Sequence, residues 1–213
     1  MFPENSLPAF RHAIALGADA IELDVHQTHD GVIVVQHDPV LLAGDAGAPR
    51  RIRDMTYAAL RRYSPAPGMT VPSLAEVFAV VPAPTLVYVE VKAPGIEADV
   101  LACIAAAGAQ DRSAIHSFDH RVAQRIAQLD PVVPGGILVA SYLADPAHEL
   151  RAAAARDYWA ERGWIDASLV DAIHGAGGRV IAWTVNDAAD AARLTDLGVD
   201  AICTDICGDL RTG

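Results

Sequence analysis

Hydrophobic and polar positions alternate with period two over residues 21–26 (IELDVH), the spacing of a strand whose successive side chains point to opposite faces. Ile21, Leu23 and Val25 fall on one face, and Glu22, Asp24 and His26 on the other. A second run, residues 32–36, is almost wholly apolar and ends in His37-Asp38. The short connection between the runs contains Asp30-Gly31, a strong turn signal. A parallel return would need a crossover of roughly a dozen residues or more, so the pattern predicts an antiparallel hairpin. Folded about residues 29 and 30, the hairpin sets Glu22 near His37.

The rest of the chain reads as follows. Asn5 or Ser6 is placed to cap a helix over residues 7–17. Residues 18–25 are the first strand. Residues 39–72 are an irregular insert rich in Gly and Pro, interrupted by a short helix at 56–63. Pro72-Ser73-Leu74 opens a helix through Val81, residues 86–92 (LVYVEVK) form a strand, and 96–107 a helix. The second half repeats a strand-helix rhythm, with strands at 113–117, 136–140, 157–160, 179–185 and 201–204 and helices at 121–129, 146–155, 168–175 and 188–197. This alternation predicts a parallel sheet with crossover helices. Without the hairpin's return strand, the parallel candidates begin at 18, 86, 113, 136, 157, 179 and 201. A closed barrel of this kind has about eight, so one strand is expected to be missing at the N-terminal edge, beside residues 18–25.

Composition narrows the function classes. The 213 residues suit one domain with a sizeable core, and no apolar run is long enough to span a membrane. A formal charge of −11 argues against nucleic acid as a partner. Cys103, Cys203 and Cys207 make no disulfide framework and no CxxC, which fits a reducing compartment. Met1 is followed at once by Phe2-Pro3-Glu4-Asn5 with no signal-peptide pattern. The expected location is the cytoplasm, with a leader upstream of this start left open.

The chemistry gathers on the hairpin. Two carboxylates two positions apart on a strand can share one hard cation, and a neighbouring imidazole can move protons near neutral pH. The plainer reading is a solvated strand face. The apolar flanks count against it, because a buried strand does not carry two acids without a partner. His26 and His29 are read as exposed turn histidines rather than a metal pair. His116, at a strand end, is a secondary substrate candidate. His12, His120, His148 and His174 are expected to face solvent.

The stretch PENSLPAFRHAIALGADAIELDVHQTHDGVIVVQHD resembles the opening of the glycerophosphodiester phosphodiesterase family. VPSLAEVF, VYVEVK, HSFDH, AGGRVIAWTVND and LGVDAICTDICGDL follow in the family's order. The resemblance implies an α/β fold, a TIM-type (β/α) barrel of the phospholipase C-like phosphodiesterase kind, lacking its first strand here. It implies a divalent cation, Mg²⁺ or Ca²⁺, and hydrolysis of glycerophosphodiesters to glycerol 3-phosphate and an alcohol. By position, the metal carboxylates fall on Glu22, Asp24 and Glu90. The family's second catalytic histidine falls on His37 and its phosphate-facing, catalytic lysine on Lys92. The substrate-side aromatic falls on Trp183, and Asn5 lies near the site entrance.

One departure stands out. The family pattern opens with a His-Arg-Gly that supplies a first catalytic histidine and a phosphate-facing arginine, and this chain has no such motif. The resemblance therefore implies impaired hydrolysis by the chain as it stands. The alternatives are a non-catalytic relative that binds phosphodiesters or a protein partner, and a lyase that releases a cyclic phosphate. Expected partners are a small glycerophosphodiester and, through an open barrel edge, a second copy of the chain.

Overall fold

The computed structural model describes residues 2–41, 49–63 and 70–210. Much of the irregular insert expected at about 39–72 therefore lies outside the described residues. The chain forms two compact units. The first runs from the N-terminal helix to Ser113, apart from Leu16–Ala18, which belong to the second with the residues from Ala114 onward.

In the first unit, α1 (Leu7–Ala15) starts at Ser6, whose Oγ accepts the Ala9 N–H at 3.3 Å. Strand β1 (Ala20–Gln27) lies parallel to β5 (Leu86–Val91) and antiparallel to β2 (Ile33–Val35). A two-residue ladder joins β3 (Val40–Leu41) and β4 (Arg50–Arg51), and α2 (Tyr57–Leu60) is capped by Thr56. Helix α3 (Leu74–Val80) has a capping box: the Ser73 hydroxyl accepts the Glu76 N–H, and the Glu76 carboxylate accepts the Ser73 N–H. Helix α4 (Glu97–Ala106) completes the unit.

The expected hairpin is present, with its register moved by one residue. Val25 faces Val35 and His26 faces Val34. The cause is the turn. Thr28 N–H donates to the Val32 carbonyl at 3.0 Å, and Gly31, at φ +83°, donates back to Thr28 at 3.0 Å. The loop is thus centred on Asp30, and only a residue without a side-chain penalty closes it cheaply.

Leu23, Val25, Val87 and Val89 are wholly buried on the odd-numbered face of β1 and β5. Each such side chain contributes roughly 1.5–3 kcal/mol. Their alternate neighbours, Glu22, Asp24 and His26 on β1 and Glu90 on β5, necessarily share the other face. The odd-numbered carbonyls of Asp19 and Val25 accept the amides of Leu86 and Lys92. The even-numbered groups of β1 therefore point to its other edge. Among the described residues of this unit, β2 pairs with that edge at Val25–Gln27.

In the second unit the strand-helix alternation follows the sequence reading closely. β6 (Ser113–Ser117), β7 (Gly135–Val139), β8 (Asp157–Glu161), β9 (Arg179–Trp183) and β10 (Ala201–Ile202) are parallel neighbours in chain order. They alternate with α5 (His120–Leu129), α6 (Pro146–Ala152), α7 (Ala167–Gly175) and α8 (Ala188–Asp196), and α9 (Cys207–Leu210) follows. Asp119, Asp145, Asp166 and Asp187 each cap the helix that follows, so part of the acidic excess is spent on helix starts. His120, expected in solvent, instead donates to the Leu138 carbonyl at 3.2 Å. Among the described residues no helix is long and apolar enough to cross a membrane.

Candidate active site

The β1–β5 register places Asp24 directly beside Glu90, two like charges on adjacent strands. Such a pair is destabilising on its own. Lys92, the first residue after β5, resolves it. Its Nζ lies 2.9 Å from Asp24 Oδ1 and 2.7 Å from Glu90 Oε1, and all three side chains are largely buried. Glu22, two positions back on the same face, brings a carboxylate oxygen within 4.8 Å of one of Glu90.

Asn5 braces this group from the N-terminal segment. Its Nδ2 donates to Asp24 Oδ2 at 2.7 Å, and its Oδ1 accepts the Asp24 backbone N–H at 3.0 Å. Asn5 thus takes up the Asp24 amide on the edge of β1, just short of the β2 ladder. It does so from φ +55°, a left-handed conformation that Asn tolerates better than most residues. The spacing to Asp24 is nineteen residues, so no local pattern announced the contact.

The electrostatics follow from these contacts. Burial, then the charge of Asp24, push the Glu22 carboxyl up to about 8, against the pull of Lys92 and His37. Burial alone would raise Asp24 as well. Its bond and charge contact with Lys92, the Asn5 amide and the charge of His37 outweigh that and hold it below the usual carboxylate range. Burial opposes the Lys92 charge, but Glu90 and Asp24 more than compensate and raise its pKa.

His37 follows β2 and is half-exposed, with Nδ1 3.0 Å from Asp38 Oδ1. A carboxylate only accepts, so Nδ1 carries the proton and Nε2 is left as the basic atom. Despite the shifted register, its charge reaches both Glu22 and Asp24.

His26 is not the exposed turn residue that the sequence suggested. Strand β1 continues to Gln27, and His26 is 6% exposed, its Nε2 3.0 Å from the His37 carbonyl. Burial lowers its pKa, partly offset by that bond. Its partner is a backbone group, which no side-chain pattern could reveal.

The remaining candidates belong to the second unit. Trp183 ends β9 and meets Phe118 edge-on at 5.6 Å. His116 is buried on β6 and stacked on Trp159 at 4.1 Å. Gly136 between them permits the stack, since a Cβ there would come within 3.1 Å of His116 and 3.2 Å of Trp159.

The donor set fits a hard divalent cation. Three carboxylates offer only oxygen, the ligand preferred by Mg²⁺ and Ca²⁺. With Lys92 they leave an excess of two negative charges when fully ionised.

Comparison with known proteins agrees with this chemistry. The model of the glycerophosphoryl diester phosphodiesterase family matches residues 1–208. A glycerophosphodiester phosphodiesterase of Caldanaerobacter subterraneus is 31% identical over 95% of this chain and 88% of its own length. Its Bacillus altitudinis counterpart is 30% identical over 96% and 89%. The solved phosphodiesterase of Oleispira antarctica, in complex with the product sn-glycerol-3-phosphate, superposes with a TM-score of 0.86. It is 23% identical and covers 99% of this chain and 90% of its own. The α/β fold class expected from the sequence, that of the TIM-type phosphodiesterases, is the fold of this solved relative.

Proposed function

The chain belongs to the glycerophosphodiester phosphodiesterase family, whose chemistry is metal-dependent phosphodiester hydrolysis, and from that premise we propose that it cleaves glycerophosphodiesters to glycerol 3-phosphate and an alcohol. The observation that carries this reading is the acid-rich group on one face of β1 and β5, Glu22, Asp24 and Glu90, with a single lysine among them. Glu22, Asp24 and Glu90 would hold Mg²⁺ or Ca²⁺, which when bound neutralises phosphate charge and acidifies a coordinated hydroxyl.

The other roles fall to the chain's own groups. Asp24 keeps lone pairs for a ligand after accepting from Asn5 and Lys92, and its orientation is fixed by them. Two of the three Lys92 N–H bonds serve Asp24 and Glu90. The third is left to meet a phosphate oxygen and offset its developing charge. His37, oriented by Asp38, takes or returns the proton at Nε2. Asn5 serves the substrate site through Asp24, which engages both ends of its amide. Trp183 is assigned to the wall against the glycerol on the strength of its place in the AWTVN stretch. The product bound in the Oleispira antarctica relative supports glycerol 3-phosphate as the retained half.

The test is ³¹P NMR of glycerophosphocholine incubated with the protein and Mg²⁺, Ca²⁺ or a chelator. Cation-dependent growth of the glycerol 3-phosphate resonance is expected. A cyclic phosphate as the final product would replace hydrolysis by a lyase reaction. No turnover of glycerophosphodiesters, with turnover of an activated aryl phosphodiester, would overturn the substrate class.

A further inference from the structure

We propose that His26 is a positioning residue that fixes the backbone of His37 and, through it, the imidazole that moves the proton. The inference rests on the reading of His37 given above. His26 lies on β1 two residues beyond Asp24, buried, with Nε2 3.0 Å from the His37 carbonyl. A carbonyl only accepts, so Nε2 carries the proton and His26 acts here as a donor.

That carbonyl sits where the sheet stops providing partners. The N–H of Val35, the last residue of β2, donates to Pro72, and that of Gln36 donates to the Asp24 carbonyl, both at 2.9 Å. Beyond Gln36 the backbone leaves the ladder, and the next carbonyl is met by the His26 side chain. Among the described residues the His37 ring has no comparable anchor, since its bond to Asp38 joins two exposed side chains. Its place is therefore set mainly by its backbone.

Both backbone anchors, at Gln36 and at His37, end on β1, the strand that carries Glu22 and Asp24. The separation between the carboxylates and the proton-transfer group is thus held by one rigid element. Removing the donor lets His37 drift, and a displacement of ~1 Å costs on the order of 10²-fold in rate. It also leaves a carbonyl without its partner.

The test uses the full chain with H26L, H26Q and H37A, assayed on glycerophosphocholine and on bis(4-nitrophenyl) phosphate at saturating Mg²⁺. Leucine fills the space without a donor, whereas the Gln amide places an N–H near the position of Nε2. H26L should lower kcat about 10–100-fold with KM nearly unchanged, and H26Q should recover most of the loss. Independently of activity, the amide resonances of His37 and Asp38 should shift and exchange faster in H26L but not in H26Q. Wild-type kcat in H26L would overturn the proposal. An equal loss in H26Q and H26L would show that His26 does not act as a donor to this carbonyl, and would also overturn it. Wild-type kcat in H37A would remove the reading of His37 itself. Failure on glycerophosphocholine alone, with the variant pattern intact on the aryl diester, would change the substrate class and leave the role of His26 standing.

Discussion

Two pairs of parallel strands, one in each unit, place ionisable residues side by side and resolve them in opposite ways. On β8 and β9 the lateral partners are Asp157 and Arg179, of opposite charge. Arg156 adds a two-point contact to Asp157, at 2.8 and 2.7 Å. On β1 and β5 the lateral partners are Asp24 and Glu90, of like charge, with Glu22 nearby and Lys92 between them. One acid with two bases is a satisfied ion cluster. Three acids with one lysine form a cluster of net negative charge when fully ionised. The positions differ too. Asp157 and Arg179 are the first residues of their strands, whereas Glu90 stands one residue from the end of β5 and Lys92 just beyond it. In barrels of this type the strand C-termini carry chemistry and the N-termini stability. A local conflict of charge is tolerated where a ligand will relieve it.

The contrast predicts that damage to the first cluster falls on activity and damage to the second on stability. Glu90→Ala should lower kcat/KM by roughly 10³–10⁴-fold, the scale of several kcal/mol of lost charge stabilisation. Its melting temperature should change little, and isothermal calorimetry should show weakened Mg²⁺ binding. A variant that unfolds instead would mean that the two clusters do the same job.

Asp157→Ala should do the reverse. It removes one carboxylate from the guanidiniums of Arg156 and Arg179, both of which reach water. The loss should therefore be about 2–3 kcal/mol, below the 3–5 kcal/mol of a fully buried pair. Urea unfolding measures it, and kcat per folded molecule should stay at the wild-type value.

Asn5 sharpens the first half of the comparison. Removing its amide should weaken Mg²⁺ affinity about 10–100-fold, as loss of a ligand-orienting partner does. N5A also forces alanine into a left-handed conformation, whereas N5G does not. Equal loss of metal affinity in the two, with lower stability only in N5A, would separate the hydrogen bonds from the backbone strain.

The smallest effect is expected at Glu76, an acid outside both clusters. Burial opposes its charge, but the Tyr57 hydroxyl at 2.6 Å, the Ser73 N–H and Arg61 hold its pKa below the ordinary value. A lowered carboxylate pKa stabilises above the unfolded value, near 4.5, and the contribution is lost as pH falls through the folded value. Glu76→Gln should cost about 1 kcal/mol at neutral pH. Unfolding curves of the two proteins should converge below the folded pKa.

The sequence by itself determined a good deal here, because the signals involved are local. Period-two alternation located β1 and put Glu22 and Asp24 on one face. Strand-helix alternation located every parallel strand of the second unit, with β6 matching residues 113–117 to the residue. Ser6 and Ser73 marked helix starts because the capping bond spans only three residues. Tertiary structure decided how those elements meet. The hairpin register turned on a five-residue loop, residues 28–32, closed at Gly31, and the second run, apolar on both faces at residues 32–35, carried no alternation that would fix it. His26 looked like a turn histidine because polarity near a Gly reads as surface, yet a backbone carbonyl eleven residues away made its burial affordable. Asn5 reached Asp24 across nineteen residues, and Asp24 met Glu90 only through the pairing of β1 with β5. Whether a buried charge is neutralised depends on what the fold brings within a few ångströms, and Coulomb energy follows distance in space rather than along the chain.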